Sequence, residues 1–184
     1  IGVDAITSSR AVFSAFRLFA YAHQSDLKKC YNSVKISEVS SQLTCFWWPS
    51  DISKPKDLTV WHYKRLNFGI GSASSVIECC LRGYVASSCS TSRGEEVVSN
   101  HRIVDDILSS ERTKSKVLEV QKDIRAALNK YNFEIKETFM SGQEIEPQNV
   151  LGMSWFPPED ELKLNVTLNL GNKNRGAYVE SNLS

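Results

Sequence analysis

Apolar residues along the chain change period several times, and those changes divide it into elements. Val12, Phe16 and Phe19 recur at i, i+4 and i+7 behind Ser8 and Ser9, either of which can cap, so the first element is predicted to be an amphipathic helix of about three turns. It leads into Gln24-Ser25-Asp26-Leu27, expected as a strand. Val34 and Ile36 alternate, residues 42–48 have β character, and after a Pro/Lys/Asp linker at 49–57 the run 59–63 has it again. Phe68-Gly69-Ile70-Gly71-Ser72 reads as a turn, followed by Ile77, Cys80, Leu81 and Tyr84 at helical spacing. Residues 87–100 are polar and are expected to form a mobile connection.

Arg102-Ile103-Val104-Asp105-Asp106-Ile107-Leu108 predicts a strand, a tight turn carrying two acids, and a return strand. Val117, Val120, Ile124, Ala127, Leu128 and Tyr131 mark the clearest helix, opened by Thr113 or Ser115. Phe133 and Ile135 begin another strand. Val150, Leu151, Met153 and Trp155, then a Pro157-Pro158-Glu159-Asp160 turn, then Leu162, Leu164, Val166 and Leu168, read as two strands of a hairpin. The order predicts an α+β fold, with helices packed on one face of an antiparallel sheet.

At 184 residues and 41% hydrophobic content the chain suits one domain. It opens on Ile1 and closes on a polar run, and we expect a fragment of a longer polyprotein. A net charge of +1 neither demands nor forbids a polyanionic partner. Five cysteines without a C-x-x-C pair argue against a zinc site and a disulfide framework, and buried reduced thiols are expected. The most apolar run, 11–22, is broken by Arg17 and is too short to span a membrane.

Two features carry candidate chemistry. Hard divalent cations prefer carboxylate oxygens, and a two-metal phosphoryl transfer needs at least two converging acids. An Asp ending one strand, Asp26, and an Asp105-Asp106 pair in the turn of a neighbouring hairpin meet that need, because adjacent strands are less than about 5 Å apart. Taken alone, the pair is more often a solvated turn and Asp26 a cap. Lys54, Lys56, Lys64 and Arg65 form a basic cluster that can touch phosphates or simply face solvent. Likewise Tyr31 suits a half-buried core position, Phe68-Gly69 an ordinary turn, and the four tryptophans core positions more often than base-stacking ones.

Order and company change these odds. Ser25-Asp26-Leu27-Lys28-Lys29-Cys30-Tyr31 resembles the first catalytic motif of retroelement reverse transcriptases, an Asp followed five residues later by an aromatic. Thr44-Cys45-Phe46-Trp47-Trp48 is similar to the "FLW" strand of BEL/Pao elements. Arg65-Leu66-Asn67-Phe68-Gly69-Ile70-Gly71-Ser72-Ala73-Ser74 is similar to their "R-x-x-F-G-x-x-S-S-P" motif. Val104-Asp105-Asp106 resembles the "Y-V-D-D" hairpin. Phe133-Glu134-Ile135-Lys136 resembles "F-E-L-R-K", and Val150-Leu151-Gly152-Met153-Ser154-Trp155 with Asp160 resembles "V-L-G-L-x-W-x-P-x-x-D". The match is colinear from about Ser8 onward and departs at Ile103, where the family has Tyr, and at Ser74, where it has Pro.

The resemblance implies a partial RNA-directed DNA polymerase domain over 1–184: palm at 8–37 and 67–148, a fingers-like hairpin at 38–66, a primer-grip-like hairpin at 149–170 and a linker at 171–184. It implies that Asp26 and Asp105 are the principal ligands of Mg2+ or Mn2+, Asp106 supporting the second ion and the backbone near Leu27 facing it. Tyr31 would pack under the sugar as a steric gate, Phe68 and Gly69 would line the nucleotide pocket, and Leu151, Gly152, Met153 and Trp155 would grip the primer. The implied partners are an RNA or DNA template with primer, deoxynucleoside triphosphates, and protease, ribonuclease H and integrase segments of one retrotransposon polyprotein. The implied location is intracellular, in a cytoplasmic virus-like particle. The alternatives are a catalytically inactive remnant and an RRM-like RNA-binding module, the latter on a ferredoxin-like sheet and a faint echo in Lys64-Arg65-Leu66-Asn67-Phe68-Gly69.

Overall fold

The computed structural model describes residues 8–164. The chain is α+β, built on a four-stranded antiparallel sheet of order β4-β5-β1-β6. Its strands are β1 (Tyr21–Lys28), β4 (Arg102–Ile103), β5 (Asp106–Glu111) and β6 (Glu134–Met140). β1 is central and buried along most of its length, which is why its sequence, Ala22-His23-Gln24-Ser25, lacks the alternation of a half-exposed strand.

Alternating β1 residues divide two cores. On one face Leu27, Ile107 and Ile135 pack under Ile77, Leu81, Val97, Val98, Val120, Ile124 and Leu128. These come from α4 (Ala73–Cys80) and its π-helical continuation at Leu81–Val85, α5 (Ser92–Asn100) and α6 (Lys114–Lys130). On the other face Ala22 and Leu108 pack with Val12, Phe16, Val150 and Trp155, from α1 (Ser9–Phe16) and the three-stranded sheet β7 (Gln148–Val150), β8 (Met153–Phe156) and β9 (Glu161–Lys163). A lobe at one end holds α2 (Cys30–Ser33), α3 (Glu38–Gln42) and the ribbon β2 (Cys45–Pro49) with β3 (Leu58–His62).

Several expectations need correction. α1 ends at Phe16, where the N–H of Arg17 caps the carbonyls of Phe13 and Ser14, so Phe19 lies beyond a two-turn helix. Residues 38–42 are helical, opened by the Ser37 side chain accepting from the Ser40 N–H, and β2 starts only at Cys45. The segment 87–100 is no mobile connection. The Thr91 side chain accepts from the Gly94 N–H to start α5, and the Asp123 carboxylate of α6 accepts from the Ser90 and Thr91 N–H groups. Any side chain at Gly94 would run into that carboxylate, which explains a glycine in a helix.

The C-terminal hairpin has three strands rather than two, because Leu151 and Gly152, both with positive φ, turn the chain between β7 and β8. Its expected continuation through Val166 and Leu168, and the 171–184 linker, lie outside the described residues. All five cysteines are free as expected, but of these thiols only Cys30 is buried. Among the described residues no helix is long and apolar enough to cross a membrane.

Candidate carboxylate site

Pairing of β1 with β5 sets Asp26 opposite Asp106, and the Leu27 N–H donates to the Asp105 carbonyl at 2.9 Å. Three carboxylates therefore meet at one end of the two central strands, each half-buried. The β4–β5 turn that carries Asp105 puts Val104 at φ +53°, costly for a β-branched residue. Beneath it lies the Arg102 guanidinium, wholly buried. It forms a two-pronged pair with Glu78 of α4 at 2.8 Å on each prong and donates to the carbonyls of Val98 at 2.8 Å and Val104 at 3.2 Å. Glu78 also meets Arg82 at 3.1 Å; a buried ion pair with both forks filled is rigid, since losing Glu78 would strand the Arg102 charge in the core.

β6 adds a fourth charge. Asp26 pairs with Glu137 and Leu27 with Ile135, so Lys136 is the extra residue of a bulge. A bulge re-aims the side chain it carries, and here the Lys136 ammonium stands 4.0 Å from the Asp26 carboxylate. Burial first, and then repulsion from Asp105, push the Asp26 carboxyl above the usual range, with Lys136 opposing. Asp106 is raised for the same two reasons, opposed by a long hydrogen bond at 3.5 Å from the Gln24 amide. That amide also donates to the Asn149 carbonyl at 3.0 Å, which ties the β7–β8 turn to the carboxylates.

Mutually repelling carboxylates of raised pKa are relieved by a cation, and their oxygens are the donors that Mg2+ or Mn2+ prefers, so the donor set fits such an ion in kind. Among the described residues no three ligand side chains already enclose an ion position; Asp106 is turned toward Gln24 and Asp26 toward Lys136.

The other sequence-derived candidates are scattered around this centre. Tyr31 of α2 is half-buried against the helix-side core, its hydroxyl 3.0 Å from that of Ser74, the residue standing where the retroelement motif has Pro. Phe68 is 75% exposed, and Gly69 has φ +87°, so its glycine answers a backbone need. Lys64 faces Glu38 at 3.4 Å, and Arg65 donates to the Ser33 carbonyl; both are exposed. Leu151 and Met153 are half-buried, and Gly152 is exposed at the turn.

Trp155 is a correction. It is fully buried, edge-on to Phe16 at 5.0 Å, with its indole N–H on Asp160, and it presents no surface to a nucleic acid. The RRM echo fails too: residues 64–69 lie between β3 and α4, outside the sheet whose aromatics would stack bases. Sequence reasoning gave no role to Lys136, Gln24 or the Glu78–Arg102 pair. Lys136 stands within a motif already singled out, but the bulge that turns it has no sequence signal.

One further constellation imitates a catalytic triad. The Ser109 hydroxyl lies 2.9 Å from His101 Nδ1, and His101 Nε2 lies 3.6 Å from Glu96. Ser109 is completely buried and also accepts from Arg93, so no substrate reaches it, and the network is structural.

No protein-family model matches the sequence, and no curated protein matches it. Solved structures do. A foamy viral protease-reverse transcriptase in complex with RNA/DNA hybrid superposes with TM-score 0.58 at 17% identity, over 83% of this chain and 18% of that one. The same kind of enzyme with dsDNA gives 0.59 at 18% identity, over 84% and 24%. A prototype foamy virus mutant gives 0.58 at 15% identity, over 89% and 19%. The fold is that of a reverse-transcriptase fragment. The chain spans about a fifth to a quarter of the length of these neighbours.

Proposed function

We propose that this chain is the catalytic palm part of an RNA-directed DNA polymerase of the BEL/Pao retrotransposon type. The observation that carries the reading is the β1–β5 register, which draws Asp26, Asp105 and Asp106 together on a reverse-transcriptase fold. The foamy viral neighbours are complexes with RNA/DNA hybrid or dsDNA, in keeping with a primed template as partner.

In this reading Asp26, Asp105 and Asp106, with the backbone at Leu27, hold the Mg2+ or Mn2+ ions. Bound there, the ions supply charge neutralisation at the attacking 3′-hydroxyl and at the departing pyrophosphate. The Glu78–Arg102 brace holds the Asp105 turn in its strained conformation, so only the carboxylate side chains, and not the backbone that carries them, turn to meet an ion. Lys136 offsets the charge on Asp26. Tyr31, fixed through Ser74, stands five residues beyond Asp26 as the sugar gate, and Phe68 with Gly69 lines the nucleotide pocket. The β7–β8 turn, tied to the site through Gln24 and Asn149, lies along the primer. The natural setting is a cytoplasmic polyprotein particle with protease, ribonuclease H and integrase segments.

The test is single-nucleotide addition to a DNA primer on an RNA template with Mn2+, by a longer chain that carries this segment, against its Asp105→Asn variant. Addition that is lost in the variant supports the reading. Addition that survives the substitution contradicts it.

A further inference from the structure

A cavity of about 590 Å³ opens just past the Asp26 end of β1, its wall beginning at Lys28 and Lys29, and none of Asp26, Asp105 and Asp106 lines it. Its wall is drawn from separate parts of the chain: residues 28–35, Arg65, the α4 continuation at Cys80 and Tyr84, and residues 131–134. The volume is in the range of pockets that take small organic ligands, about 300 to 1,000 Å³.

Charge and aromatic surface occupy different parts of this wall. Lys28, Lys29, Lys35 and Arg65 stand against a single acid, Glu134. Glu134 is already engaged by Lys28 at 3.1 Å, while Lys29 and Lys35 have no ion pair among the described residues. Arg65 spends one nitrogen on the Ser33 carbonyl. Lys29 is held at φ +49°, a conformation that a lysine adopts only under constraint. In the same wall the rings of Tyr84 and Tyr131 lie 6.3 Å apart at 44°, Tyr84 is 62% exposed, and the Tyr131 hydroxyl accepts from Ser88. The cations suit a short chain of phosphates, and the tyrosine face suits a base.

We propose that this cavity binds a free nucleoside polyphosphate at a site separate from the carboxylates. The acid side chains that would hold a catalytic metal do not line it, so binding needs neither a divalent cation nor Asp105. The wall gathers residues from α2, the end of α4 and the start of β6 around one concavity, which suits a mononucleotide held from several sides better than a strand lying along a groove.

The test uses the 184-residue chain in EDTA, titrated with ATP, tripolyphosphate, adenosine and a single-stranded oligonucleotide while backbone amide shifts are followed. ATP is expected to give saturable shifts at Lys29, Tyr84 and Asn132, equal in Asp105→Asn, with adenosine far weaker. Lys29→Asn with Lys35→Gln, both exposed positions, is expected to weaken ATP about tenfold or more. Tyr84→Ala is expected to weaken ATP by about five- to tenfold and leave tripolyphosphate unchanged. No saturation by about 5 mM ATP, indifference to these variants, or binding of the oligonucleotide alone overturns the proposal. Because metal and Asp105 are outside this test, its failure leaves the polymerase reading standing, and failure of that reading leaves this one standing.

Discussion

Two hairpins of nearly equal local simplicity are treated in opposite ways by this fold. The β4–β5 hairpin pairs only Arg102 and Ile103 with its return strand, yet α4, α5 and β1 surround it and a buried guanidinium fills the space under its turn. The β2–β3 ribbon pairs five residues on each strand, yet Trp47, Trp48 and Trp61 are 66%, 55% and 46% exposed and every β3 residue is open to solvent. Strand pairing alone therefore does not decide rigidity; what lies beneath the turn does. Asp105 and Asp106 sit on the braced hairpin, where a strained φ at Val104 can be held, with Asp26 beside them on β1, and the ribbon carries none of the site.

The largest break in that contrast should come from the brace. Arg102→Ala is expected to lower stability by about 2 to 4 kcal/mol in a denaturant melt, because it strips both short hydrogen bonds from the buried Glu78, which keeps only Arg82 at 3.1 Å. If the loss is under about 1 kcal/mol, the turn is held by something else.

Acid sensitivity comes next. His23 is fully buried on β1 with no partner on either ring nitrogen, and burial, then Arg93 and His101, hold its pKa down to about 3 from an ordinary 6.5. The unfolded chain takes up that proton first as pH falls, so stability drains away between pH 6.5 and about 3. In His23→Leu that slope should flatten while stability at pH 7 holds or rises; an unchanged acid limb in the variant would show that His23 plays no part.

Smaller still is the gain from removing one carboxylate. Asp26 and Asp106 have raised folded pKa values, so their ionisation costs stability as pH climbs from the unfolded values through the folded ones. Asp105→Asn removes a named source of that repulsion. Without divalent ions it should raise stability near pH 7 by less than about 1 kcal/mol, given how open the site is, and so raise the melting temperature slightly. A lowered melting temperature would mean that Asp105 is held by contacts stronger than its repulsion.

Smallest is the ribbon: Trp47→Ala should alter stability by no more than about 0.5 kcal/mol. A loss like that of a core tryptophan would show that the ribbon is packed after all.

Much of the frame was legible from periodicity. The 3.6-residue stripe of α6 and the apolar flanks of Asp105 and Asp106 each point to a single local structure, and colinear motifs joined them into one fold. Convergence of the acids was legible as an order of elements. What was hidden depended on partners distant in sequence. α5 reads as a polar connection because its start is held by Asp123, about thirty residues on, and its only aliphatic residues are Val97 and Val98. Trp155 carries the same letters whether it grips a primer or fills a core, and only α1, at the other end of the chain, decides between them. Lys136 reaches Asp26 through a one-residue bulge, and Arg102 is buried only because Glu78 is there to meet it.

The central claim, a divalent-cation site made by Asp26, Asp105 and Asp106, is tested most directly by Mn2+ titration of the isotope-labelled chain with paramagnetic broadening of backbone amides. Broadening should begin at residues 26, 27, 105 and 106, be reversed by Mg2+, and vanish in Asp105→Asn. Broadening that starts elsewhere, or persists unchanged in that variant, contradicts the site.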